Sequence, residues 1–311
     1  MPDTFTRRTP VPASADDLFA WHARPAAFHR LQPPWETVSV VGQTGPFADG
    51  TRVTVRANVV GPVAGTWVAE LFDVRPGHGF RDRQLSGPFA EWTHTHSFAP
   101  DGPDRSVLED RVEYRLPLGP AGRLFGGKLV RDRLAAMFAY RHALTVSDLA
   151  RHARFRDRPR LTVAVTGSTG LIGSDLCLFL AAGGHSVVRL VRGDPKPPAV
   201  DDGTRSVRWD PAAADPKVLE GVDAVVHLAG ESVAEGRWTA AKKARIRDSR
   251  VGPTRKLAEA AAAAGVRTLV LASGVGCYGD RGDEPLDEAS APGSGFLADV
   301  CREWEAAADP A

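Results

Sequence analysis

The stretch Arg160–Gly173 (RLTVAVTGSTGLIG) decides how the second half of this chain folds. Leu161–Thr166 is short, apolar and rich in β-branched residues, as a buried strand requires. Gly167, Gly170 and Gly173 follow it, and the apolar helical run Leu171–Ala182 begins inside the triplet. Gly167 is expected to permit a tight turn, Gly170 to let backbone N–H groups approach a pyrophosphate, and Gly173 to let the helix pack closely on the strand. Ser168, Thr169, Leu171 and Ile172 lie between the glycines and complete the expected cradle. Glycines at this spacing mean little alone, but here they sit between a strand and a helix, and His185–Val191 supplies a second strand about twenty residues on. The bland alternative is a glycine-rich connection that binds nothing.

A cofactor with a free ribose 2′-hydroxyl usually meets an acidic residue at the end of that second strand. This chain has Val191-Arg192, and a guanidinium there suits a 2′-phosphate, so NADP(H) is the expected cofactor. Asp194 keeps NAD open, and a merely solvated Arg192 is the alternative. Further strands are expected at Ser206–Trp209, Asp223–Ala229 and Arg267–Ser273. A crossover helix over Thr239–Ala264, or a pair split near Gly252-Pro253, should join the last two. The second of these strands runs into His227-Leu228-Ala229-Gly230, where ligands bind in a parallel sheet. The expected class is an α/β Rossmann fold.

At 311 residues the chain exceeds one ordinary core, and two domains are expected. Arg151–Arg160 (RHARFRDRPR) is almost devoid of apolar residues and separates two periodicities, giving domains at 1–150 and 161–311 with a basic linker at 151–160. With 39 basic and 38 acidic residues, no long-range field draws the chain to nucleic acid or to an anionic membrane. No apolar run approaches the roughly 18 residues that cross a bilayer, and the N-terminus is not signal-like, so a cytoplasmic protein with small-molecule partners is expected. Cys177, Cys277 and Cys301 are widely spaced and read as free thiols.

The first half alternates at period two. Val53, Val55, Ala57 and Val59 oppose Thr54, Arg56 and Asn58, and runs at Trp67–Phe72, Glu91–Phe98 and Val107–Leu116 follow as an antiparallel meander. Ser14 should cap a helix over Leu18–Phe28, and Lys128–Leu149 should be a long helix against the sheet. This is an α+β arrangement. In Glu91–Phe98, Trp92, His94, His96 and Phe98 share one face, and Asp110 and Tyr114 on the next strand are placed to meet the histidines. A polar cluster in an apolar cup suits ligand orientation or acid/base work, or else a satisfied core network. HxH invites a metal, but no third ligand at a diagnostic spacing accompanies it, and no metal is assigned.

The order of elements over Thr4–Leu149, with LQPPW (Leu31–Trp35), GPFAEWTHTHSF (Gly87–Phe98) and FAYRH (Phe138–His142), resembles the START-like, or SRPBCC, domains. The resemblance implies a helix-grip fold enclosing an apolar ligand. The GxxGxxG spacing, HLAG and SGVGCYG (Ser273–Gly279) resemble extended short-chain dehydrogenases/reductases. VDAVVHLAGE (Val222–Glu231), Arg237-Trp238, Ser249-Arg250 and FLADVCREWE (Phe296–Glu305) narrow this to the YfcH-like family of NAD(P)-dependent epimerases or oxidoreductases. That resemblance implies cofactor contacts from Gly167–Gly173, Arg192, Leu228, Ala229 and Arg250.

Two departures bear on catalysis. The YxxxK of the class is absent: Phe296 stands where the tyrosine is expected and Val300 where the lysine is. Gly274 takes the usual serine position, leaving Ser273 and Tyr278 as a substitute donor pair, or as a strand-end bond and a wall of the nicotinamide pocket. Extended members also continue into a C-terminal substrate lobe, whereas this chain stops at Ala311. The expected function is an NADP(H)-dependent oxidoreductase or epimerase acting on a small molecule; the rival is a non-catalytic sensor of NADP(H) and an apolar ligand.

Overall fold

The computed structural model describes residues 2–60, 63–195 and 200–311; the side chains of residues 58–60, 63 and 64 lie outside that description, and with them the expected facing of Asn58 and Val59. The chain divides into two compact units, one of Met1–Pro159 together with Leu178–Gly184, the other of Arg160–Cys177, 185–195 and Thr204–Ala311.

The first unit is a seven-stranded antiparallel sheet in the order β1-β7-β6-β5-β4-β3-β2. Its strands are β1 (Asp3–Val11), β2 (Val38–Gln43), β3 (Arg52–Val60), β4 (Val63–Arg75), β5 (Gly79–Ser86), β6 (Glu91–Pro100) and β7 (Ser106–Arg115). β1, β2 and β5 were not expected, because strings such as GFRDRQLS carry too few apolar residues to show their alternation. Ser14 caps α1 (Ala15–Ala23) by accepting from the Asp17 N–H at 3.1 Å. The single helix expected over Leu18–Phe28 is instead two. Pro25 holds Arg24 in extended geometry (φ −76°, ψ 141°) and then opens α2 (Pro25–Arg30) as its first residue. α3 (Gly119–Ala153) is longer at both ends than expected and runs into the basic stretch at 151–160. Its buried residues Leu134, Phe138, His142, Thr145 and Leu149 form one stripe, and Phe138 stacks on Phe5 of β1 at 5.4 Å. Trp92, Val112, Tyr114, Leu116, Leu134 and Phe138 form the adjoining core.

The second unit is a five-stranded parallel sheet, β10-β9-β8-β11-β12, built from β8 (Thr162–Thr166), β9 (Ser186–Val191), β10 (Thr204–Arg208), β11 (Ala224–His227) and β12 (Thr268–Leu271). α4 (Leu171–Ala182) follows β8 within the glycine motif. The crossover is the helix pair, α5 (Ala240–Asp248) and α6 (Val251–Ala264), divided at Ser249-Arg250, close to Gly252-Pro253. Pro253 sits in the first turn of α6, where its missing N–H would have had no helical partner. α7 (Phe296–Ala306) closes the unit. Val188 and Leu190 of β9, Val225 of β11, Trp209 and Leu219 pack against Leu257, Ala260 and Ala261 of α6 to form its core.

Candidate functional site

In the parallel sheet the chain winds outward from β8 in both directions, so the carboxyl ends of β8 and β11 flank the switch point where α/β folds bind ligands. Gly167 sits there with φ +64°, and a Cβ on it would lie 2.7 Å from the Leu228 carbonyl carbon and 2.9 Å from the Ala229 nitrogen. A Cβ on Gly173 would lie 2.3 Å from the Gly167 oxygen. Backbone packs against backbone at both positions, so neither tolerates a side chain. Gly170 is less constrained, with a nearest approach of 3.3 Å. Thr169, Gly170, Leu171 and Ile172 are exposed, and Leu171 (91%) and Ile172 (70%) leave the N-terminus of α4 open. Ser168 is buried, and its Oγ finds no hydrogen-bond partner. An open helix N-terminus behind a tightly packed glycine turn and a buried hydroxyl without a partner among the described residues both fit a bound dinucleotide phosphate. Arg189, which sequence reasoning missed, donates from β9 to the Ser168 carbonyl at 2.7 Å and to Thr204 Oγ1 at 2.9 Å, stiffening the turn from behind.

Behind the turn lies a buried chain of hydrogen bonds that was also missed. Thr166 Oγ1 accepts the N–H groups of Leu228 (3.1 Å) and Ala229 (3.2 Å), and lies 2.6 Å from His227 Nδ1. Its hydroxyl hydrogen is therefore donated to Nδ1, which leaves Nε2–H of a neutral imidazole to donate to Thr254 Oγ1 at 3.0 Å. Trp304 Nε1 donates to the same Thr254 oxygen at 2.9 Å. Burial lowers the His227 pKa to about 4, in keeping with that neutral form. The N–H groups of Leu228 and Ala229 are engaged by Thr166, so these residues offer a wall to a ligand and not donors.

Arg250 donates to the carbonyls of Glu231 (3.1 Å) and Ile246 (3.0 Å) and lies over the Trp304 ring, 5.0 Å from its centroid. A Cβ on Gly230 would meet its Cζ at 3.0 Å. The guanidinium thus holds the loop after β11. Arg192 is exposed at the end of β9 and makes no ion pair or hydrogen bond among the described residues. Asp194 pairs with Arg208 at 3.2 Å on the surface.

No hydrogen bond joins Ser273 to Tyr278 among the described residues. Ser273 Oγ donates to the Glu305 carboxylate, and Tyr278 lies in a short 3₁₀ turn, Val275–Tyr278. Burial and the neighbouring thiol and carboxylates raise the Tyr278 pKa, the reverse of what a proton-transfer phenol needs. Phe296 packs edge-on against Trp238 at 5.8 Å with Lys243 Nζ 5.3 Å from its ring centroid, and Val300 is buried. Neither position of YxxxK carries proton chemistry.

In the first unit, register places His94 opposite Asp82 of β5 and His96 opposite Asp110 of β7. His94 Nε2 lies 2.9 Å from Asp110 Oδ1 and its Nδ1 3.2 Å from Asp82 Oδ2. His96 Nδ1 lies 2.6 Å from Asp110 Oδ1, out of hydrogen-bond alignment, and its Nε2 3.8 Å from Asp82 Oδ2. The second Asp110 oxygen meets His142 Nε2 at 2.7 Å, and His142 Nδ1 reaches Thr9 Oγ1 at 2.8 Å. Burial opposes charge on His94, but Asp82 and Asp110 outweigh it and lift its pKa to about 9. Burial would raise Asp110, yet His96, His142 and His94 together hold it well below the ordinary carboxylate range. Burial and the charge on His94 lower His96. Tyr114 departs from expectation: it faces Trp92, 6.4 Å away between rings, and Phe89, and belongs to the aromatic core. Sequence reasoning missed Asp82 and His142. The latter was detectable one helical turn beyond Phe138; the former lies on a strand whose alternation is hidden.

Residues 163–298 match the family described as NAD dependent epimerase/dehydratase, and residues 2–152 that described as polyketide cyclase/dehydrase and lipid transport. An epimerase family protein of Mycobacterium bovis is 46% identical over 151 residues, 48% of each chain. A human epimerase family protein is 35% identical over 153 residues, 48% of this chain and 49% of its own. The chain spans about half the length of these curated relatives. A crystal structure described as a nucleoside-diphosphate sugar epimerase from Corynebacterium glutamicum superposes with a TM-score of 0.75 at 37% identity, over 98% of this chain and 62% of that one. No helix among the described residues is long and apolar enough to cross a membrane.

Proposed function

Since this chain joins a polyketide cyclase/dehydrase and lipid transport domain to an NAD dependent epimerase/dehydratase domain, we propose that it is an NADP(H)-dependent oxidoreductase or epimerase, acting on a small molecule, whose first unit holds an apolar ligand. The observation that carries the cofactor reading is the turn at Gly167–Gly173, in which Gly167 and Gly173 admit no side chain, the α4 N-terminus is open and the Ser168 hydroxyl has no partner among the described residues. Ser168 and the N–H groups at the start of α4 bind the pyrophosphate, Leu228, Ala229 and Gly230 line the site, and Arg250 positions that wall. Arg192, with no competing partner among the described residues, meets the 2′-phosphate. The nicotinamide supplies hydride transfer when bound.

The substitute hydroxyls favour a second reading. With Ser273 committed to Glu305 and Tyr278 raised, the chain binds NADP(H) and an apolar ligand without turning over a substrate. Substrate-dependent NADPH oxidation separates the two readings.

The cofactor assignment is tested by calorimetric titration of NADPH and NADH at fixed salt, since screening weakens exposed phosphate contacts. A charge-assisted contact of about 1.5–3 kcal/mol predicts NADPH binding roughly ten- to a hundredfold tighter, with Arg192→Ala bringing the two affinities together. Equal affinities in the unsubstituted chain would remove Arg192 from this role.

A further inference from the structure

We propose that Asp82, His94 and His96 form a binding site for one divalent transition-metal ion of the zinc class, with Asp110 as its positioning carboxylate. The ligand atoms of the three residues all lie within 4.8 Å of one another. His94 Nδ1 and His96 Nε2 stand 3.2 and 3.8 Å from the same Asp82 oxygen. Metal–nitrogen distances of about 2.0–2.1 Å in tetrahedral geometry put ligand atoms about 3.3–3.4 Å apart. The two histidine–Asp82 separations bracket that edge and the two histidine nitrogens lie within 4.8 Å of each other, so an ion enters by drawing together side chains already in place.

The opposite ring nitrogens strengthen the case. His94 Nε2 and His96 Nδ1 both face Asp110 Oδ1, at 2.9 and 2.6 Å. Asp110 therefore orients the His94 imidazole from behind through a hydrogen bond and stands against the back of the His96 ring, while Asp82 closes the ligand set in front, as outer-shell carboxylates do for histidines at metal sites. Asp110 is itself held by His142, which is anchored on Thr9. The Phe80 ring stacks on His96 at 4.0 Å and restrains its rotation. Two imidazoles and one carboxylate suit zinc, cobalt or iron(II), and discriminate against magnesium and calcium, which prefer oxygen. Three protein ligands leave at least one coordination position open, as at catalytic sites and not at structural ones.

The full chain, stripped with chelator, is titrated calorimetrically with ZnCl₂, and with CoCl₂ while the visible spectrum is followed. The expected result is one ion per chain and a cobalt d–d band of low-symmetry N/O coordination. Asp82→Asn and His96→Gln should each weaken zinc at least a hundredfold, and Asp110→Asn ten- to a hundredfold. MgCl₂ should not compete. No saturable binding by the unsubstituted chain would overturn the proposal. So would binding unchanged in Asp82→Asn and His96→Gln variants whose circular dichroism shows them folded. The stoichiometry and the cobalt spectrum need no variant, so a misfolded substitution does not shelter the proposal.

Discussion

At the scale of single residues, the first unit concentrates its electrostatics on Asp110 and the histidines around it. His94 has a folded pKa of about 9 against an ordinary 6.5, so the fold favours its protonated form. That contribution is complete below about pH 6.5 and is lost as pH rises through 9. His22 runs the other way: burial, then His96, lower it to about 4, so its contribution is lost as pH falls from 6.5 towards 4. Asp110, held low by its histidines, also loses its contribution on acidification. The metal-free first unit should be most stable near neutral pH. A shift of the size of His94's corresponds to on the order of 3 kcal/mol. Urea unfolding at pH 6.5 and 9.5 should show a loss of that order at the alkaline value, and His94→Gln should abolish the alkaline slope. An equal alkaline loss in that variant would place its cause elsewhere.

At the scale of elements, the carboxyl ends of β8 and β11 are joined to α6 and α7 by a single path from Thr166 through His227 and Thr254 to Trp304. Thr254 accepts from two buried donors, so Thr254→Val keeps the shape and strands both. An unsatisfied buried donor costs about 1–3 kcal/mol, and a loss of about 2–4 kcal/mol in the second unit's unfolding free energy is expected. A loss under about 1 kcal/mol would mean that the path does not hold these elements together. The same path explains why the wall at Leu228 and Ala229 stays in place against Gly167: its N–H groups are tied to the sheet and not left to a ligand.

At the scale of the whole molecule, two units with separate cores should not unfold as one two-state system. Thermal unfolding should resolve two transitions, and NADPH should raise only that of the second unit. At a hundred times its Kd the stabilisation should be about 2.7 kcal/mol. A shift of both transitions, or of the first alone, would show that the cofactor is held otherwise than by the glycine turn. The parallel sheet, its glycine turn and α4 from Leu171 to Ala182 were legible in the sequence by itself, because each rests on local periodicity and on what glycine alone permits. The inward face of β6 was legible for the same reason. Only the tertiary structure brought Asp82 to the histidines, moved Tyr114 into the aromatic core, linked His227 to Thr254 and Trp304, and committed Ser273 to Glu305. These meetings join residues far apart in the chain. They depend on strand register and helix packing, and a one-residue slip in register would turn Asp82 to the opposite face of the sheet, a choice that local sequence pattern does not encode.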